Sequence, residues 1–154
     1  MSTDNRLSKW KFLLGKWESV PESHIGDPPG TINKVKITEY PNEKFLMLKS
    51  ESWRDGVLTS NGLAVFYYDY SSQKFKMKAF FEYGFVNNYT EYESTETGLK
   101  FETETESTPK GFETTQFRQY LKKESDSRFT ITLDTAKENE EFQKFYETTY
   151  EKTH

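Results

Sequence analysis

From Gly15 onward, apolar and polar residues alternate in short runs, and a turn signal ends almost every run. The run Phe75, Met77, Ala79, Phe81, Tyr83, with Lys76 and Lys78 interposed, is the plainest example. Successive side chains of a strand point to opposite faces, so this period describes strands with one dry and one wet face. Asp55-Gly56, Tyr70-Ser71-Ser72-Gln73, Thr97-Gly98, Pro109-Lys110-Gly111 and Ser125-Asp126-Ser127 carry the residue types that tight turns demand. Between such turns the pattern predicts strands over 15–19, 32–40, 45–53, 58–68, 75–83, 86–93, 99–106, 112–122 and 129–133, with a further one over 142–151. That makes about ten short strands at the spacing of a sandwich or barrel. Every connection is short, so sequence neighbours become antiparallel neighbours in space. Such a meander must close on itself or leave two open edges, and closure is expected.

The segment before Gly15 obeys another period. Leu7, Trp10 and Leu14 fall at helical spacing, Asp4 and Ser8 offer capping oxygens, and Gly15 is a stop. The expectation is therefore all-β: one domain over 1–154, an antiparallel up-and-down barrel of about 8–10 strands behind a short helix within 1–14. At 154 residues a single domain has enough interior for a core. A mean hydropathy of −0.92 would suit a disordered chain, but 17% aromatic residues would not. Large rings with a polar edge suit a pleated surface that is wet on one side.

Charge and cysteine content narrow the function. The net charge is −4, with acids and lysines interspersed and no basic block, which argues against nucleic acid and anionic membrane as partners. No cysteine means no disulfide, no thiolate chemistry and no cysteine-type zinc site, and it fits a reducing, cytoplasmic setting. Residues 1–14 hold no apolar run long enough for a signal peptide or a membrane span. Without secretion, the glycosylation-like Asn88-Tyr89-Thr90 carries no weight.

The entry Leu13-Leu14-Gly15-Lys16-Trp17-Glu18 resembles the Gly-x-Trp opening of lipocalins and fatty-acid-binding proteins, and Tyr68 to Phe75 is similar to the Tyr-x-Asp-type turn of nitrobindin-like and bacterial lipocalin-like families. The resemblance implies a lipocalin-like (calycin) barrel whose Trp17 closes one end and whose interior holds a small apolar or amphipathic molecule. A barrel of about eight strands has room for one such ligand, or is packed solid. Met77, Ala79, Phe81 and Tyr83 are the expected cavity wall, with Leu63, Val65 and Tyr67 as partners across the hairpin, Phe45 and Met47 beyond, and Tyr89 further round. Arg118 and Tyr120 are similar to the Arg-x-Tyr pair with which fatty-acid-binding proteins grip a carboxylate, although about two strands follow them here. Three placements of Arg118 stay open: inward on a ligand, stacked on Trp17 as a latch, or outward with Phe117, Gln119 and Leu121 facing in.

The resemblance also raises haem, which needs an axial ligand, usually histidine. The histidines are His24, in a Pro/Gly loop, and the terminal His154, so no cofactor is expected and no metal-ligand spacing exists. Barrel decarboxylases of phenolic acids suggest an alternative, an enzyme acting on an aromatic or lipid-like acid, in which Glu91, on the face of Tyr89 and Asn87, is a general acid. A filled barrel serving protein interaction is the third reading. The expected partner is a small apolar or amphipathic molecule, and oligomeric state is not written in the sequence.

Overall fold

The computed structural model describes residues 6–21, 25–39, 44–82, 84–108, 110–113 and 115–153. Asp4, His24, Tyr83, Thr114 and His154 lie outside them. The described strands are β1 (Gly15–Ser19), β2 (Ile32–Glu39), β3 (Phe45–Arg54), β4 (Val57–Asp69), β5 (Lys74–Phe81), β6 (Val86–Ser94), β7 (Gly98–Ser107), β8 (Gln116–Ser125), β9 (Arg128–Ala136) and β10 (Gln143–Lys152). Each pairs antiparallel with its sequence neighbours, and β10 pairs with β1, so the meander closes into an up-and-down barrel without free edges. β8 starts later than the alternation suggests. The Phe112 carbonyl closes a turn by accepting the Thr115 N–H, and the Phe112 ring packs on Phe85 at 5.3 Å instead of entering the sheet.

The leading segment, Arg6–Leu13, is a 3₁₀ helix. Its buried residues are Leu7, Trp10 and Leu13, a spacing of three that matches three residues per turn, and Leu13 takes the place expected for Leu14. This helix plugs one end of the barrel. Trp10 sets its ring edge-on against Phe66 and Phe75 at 6.4 and 6.3 Å. Trp17, on β1, donates its Nε1–H to the Leu13 carbonyl at 2.7 Å and meets Phe129 edge-on at 4.6 Å. A buried indole needs such an acceptor, and the last carbonyls of a helix offer one. The cation over the Trp17 ring is Lys152, not Arg118. Its Nζ lies 4.9 Å from the ring centroid and donates to the Phe12 carbonyl at 2.8 Å, tying the last strand to the plug.

Register decides which residues face inward. At the β4–β5 turn, Asp69 accepts hydrogen bonds from the Ser71 N–H at 3.0 Å and the Ser72 hydroxyl at 2.8 Å, and pairs with Lys76 at 2.9 Å. Those partners lower its pKa to about 2, Lys76 contributing most. The turn places Asp69 opposite Lys74, so odd residues of β5 face even residues of β4: Phe66 sits opposite Met77 and Ala64 opposite Ala79. The expected partners Leu63, Val65 and Tyr67 belong to the alternate set of β4, and of the three only Leu63 borders the cavity among the described residues. On β3 the inward set is likewise Leu46 and Leu48 rather than Phe45 and Met47.

Candidate functional site

The interior has two unlike halves. Toward the 3₁₀ helix it is filled by Trp10, Trp17, Leu46, Phe66, Leu99 and Phe101, all nearly inaccessible. Beyond them a cavity of about 380 Å³ remains, within the size range of small-molecule sites. The space exists because small residues meet laterally on three strands. Ser50 stands opposite Gly62, and Ala64 lies between Leu48 and Ala79. Gly62 is part of this economy: a Cβ there would meet the Phe81 ring at 3.0 Å and the Ser50 Oγ at 3.1 Å. The opposite wall is aromatic and aliphatic, with Tyr89, Phe129, Ile131, Leu133, Tyr146 and Tyr150.

One side of the cavity carries a polar cluster without a cation. Asn33 is 4% exposed. Its Nδ2 donates to Asp27 at 3.0 Å and to the Tyr146 hydroxyl at 2.8 Å, while the Ser52 hydroxyl donates to its Oδ1 at 2.5 Å. The Asn33 backbone N–H is anchored on the Ser19 Oγ at 2.9 Å. Each such bond contributes about 1 kcal/mol net, and more is lost if a buried partner is orphaned. The Tyr146 and Tyr150 hydroxyls are hydrogen-bonded to each other, and burial pushes both pKa values up. Across the cavity, burial pushes Tyr89 up to about 12, although the Asn87 Nδ2 donates to its hydroxyl at 3.2 Å. The Thr105 hydroxyl in turn holds the Asn87 Oδ1 at 3.0 Å. Gln119 lines the wall with its Oε1 buried and bonded to none of the described residues. Apart from the Asp27 carboxyl these groups are neutral hydrogen-bonding sites, and none of them supplies positive charge.

Of the ligand-contact residues expected from sequence, Met77, Ala79, Phe81 and Tyr89 line this cavity together. Tyr67 does not; it packs against Phe45 at 5.7 Å and lines a separate pocket with Leu7, Lys44, Tyr68 and Tyr70. Tyr83 lies outside the described residues. Arg118 and Tyr120 also require correction. The register that sets Phe101 against Gln119 sends Phe117, Gln119 and Leu121 inward and Arg118 and Tyr120 outward. The Arg118 guanidinium lies 4.1 Å from the Phe142 ring centroid and 5.4 Å from that of Tyr92, with Glu102 at 3.6 Å. Tyr120 covers Gly98, where an added Cβ would stand 2.5 Å from its Cε2, and lies under Lys100. Neither can grip a carboxylate inside the barrel from there. Glu91, the candidate general acid, accepts the Phe75 N–H at 2.9 Å and is absent from the cavity wall.

The described residues do not fit a histidine-ligated haem. The inward side chains of β10 are Tyr146, Thr148 and Tyr150, and phenols that burial keeps protonated are poor ligands. Among the described residues no three metal-binding side chains cluster. Among the described residues no helix is long and apolar enough to cross a membrane.

Sequence reasoning missed Asn33, Ser52, Gly62, Ala64 and Tyr146, while an inward Gln119 was among the placements it left open. Ser50 and Ser52, two apart among apolar neighbours on β3, were the available signal of a wall with room beside it.

No family model and no curated protein matches the sequence. The chain is similar in structure to the crystal structure of Rv2717c from M. tuberculosis, with a TM-score of 0.73 and 13% identity, over 96% of this chain and 97% of that one. At that identity the likeness speaks for the fold alone, which the two chains share nearly end to end.

Proposed function

We propose that this chain is a lipocalin-like binding protein that holds one small apolar or amphipathic molecule inside its barrel. The observation that carries this reading is the division of the interior. One half is packed with large rings, while small residues on three adjacent strands leave about 380 Å³ beside a polar cluster that holds no cation. A barrel evolved only for packing would fill that space, because each void forfeits dispersion contacts. The reading also draws on the place of Glu91, the general acid of the enzyme alternative, which accepts the Phe75 N–H and lies outside the described wall. A cytoplasmic location belongs to the same proposal and rests on the cysteine-free composition.

The test is titration with the neutral fluorophore N-phenyl-1-naphthylamine. Binding should saturate at about one molecule per chain, and Ala79→Trp should abolish it while the far-UV spectrum stays β-rich. Unsaturable binding, or binding that Ala79→Trp leaves unchanged, contradicts an internal site.

A further inference from the structure

We propose that the cavity selects a molecule whose polar end is an uncharged hydrogen-bond donor, such as an alcohol, phenol or amide, and that it rejects carboxylates. This inference rests on the binding reading above and adds the headgroup. Two independent features point to it.

The first is the distribution of charge. Among the described residues no lysine or arginine lines the cavity. Strand alternation sends the cations to the outer face, where Lys34 pairs with Glu18, Lys76 with Asp69, Lys78 with Glu106, Lys100 with Glu93 and Arg118 with Glu102. The ionisable carboxyl that engages the cavity's polar cluster is Asp27, held by Asn33. A carboxylate entering this space would be desolvated without a counter-charge and would face a like charge at the cluster. Both effects oppose the ionised form.

The second feature is the balance of donors and acceptors. The Gln119 Oε1 is buried without a donor among the described residues. The Asn33 amide is already engaged by Asp27, Tyr146 and Ser52. An alcohol, phenol or amide brings the donor that Gln119 lacks. An ionised carboxylate brings acceptors only and leaves that oxygen orphaned. An ether has the shape of an alcohol but no donor, so it separates the hydrogen-bonding argument from the charge argument.

The experiment displaces N-phenyl-1-naphthylamine at pH 7.5 with 1-octanol, methyl octyl ether and octanoate, on the full chain. Octanol should compete best, the ether about tenfold more weakly, and octanoate at least about a hundredfold more weakly. Gln119→Met keeps the side-chain length and removes the acceptor, so it should erase the preference of octanol over the ether and leave octanoate excluded. If the fluorophore itself fails to bind, the binding reading falls and this inference falls with it. If the fluorophore binds and octanoate displaces it as well as octanol does, the binding reading stands and the headgroup inference is overturned. An octanol preference that survives Gln119→Met overturns the role given to that residue.

Discussion

Replacing Tyr89 with phenylalanine should make the protein less stable at neutral pH and more stable at high pH. Tyr89 is 4% exposed, and its hydroxyl accepts a hydrogen bond from the Asn87 side chain at 3.2 Å. The phenylalanine leaves that buried amide without its acceptor, at a cost of about 1 kcal/mol. The opposing effect comes from proton linkage. In the folded protein burial raises the Tyr89 pKa from 10.0 to about 12, so the native state keeps its proton where the unfolded chain gives it up. Stability from this group is fully present below pH 10 and is lost as pH rises through 12, approaching about 2.7 kcal/mol for two units. The two effects cancel near pH 11, by the same arithmetic, and the variant is ahead by roughly 1 kcal/mol at pH 12. Tyr146 and Tyr150 shift in the same direction but are common to both proteins, so the difference isolates Tyr89. Urea unfolding followed by tryptophan fluorescence from pH 8 to 12 measures it. A stability difference that stays constant across that range refutes the reasoning.

The acid side and the outer face give two further outcomes. Asp69→Asn should flatten the loss of stability at low pH, because the pKa of Asp69 is lowered and its contribution, present above pH 4, is lost as pH falls through about 2. Urea midpoints between pH 2 and 6 check this, and parallel curves for both proteins would contradict it. Arg118→Gln should leave probe binding unchanged and lower unfolding free energy by about 1 kcal/mol, the worth of an exposed guanidinium stacked on Phe142 and Tyr92. A ligand-dependent effect of this substitution would contradict the outward placement.

Strand existence was legible because Gly, Asp, Ser and Pro punctuate an alternating pattern that only a pleated strand can use. The plug was legible too, since Leu7 and Trp10 break that pattern with a helical one. Which face turned inward was less legible where both faces carry large residues. On β4 the choice lay between Leu63, Val65 and Tyr67 on one side and Ala64, Phe66 and Tyr68 on the other, and the turn at Asp69 decides it. On β8 an inward Gln119 runs against polarity, and only the pairing with Phe101 shows why Arg118 must point out. The cavity was hidden for a different reason. Its space depends on Ser50, Gly62, Ala64 and Ala79 being lateral neighbours, which requires the register of two hairpins at once. The contact of Asn33 with Tyr146 joins residues 113 apart, far beyond the reach of any local pattern.

The central claim is that a ligand enters the open half of the barrel and leaves the packed half untouched. Methyl NMR during titration with N-phenyl-1-naphthylamine tests it most directly. The methyl signals of Leu48, Ala64, Met77, Ala79, Ile131 and Leu133, which line the cavity, should shift together and stop at one equivalent. Those of Leu7, Leu13 and Leu99, in the packed half, should stay in place. Shifts confined to exposed Ile25, Val57 and Leu58, or none that saturate, would contradict the account.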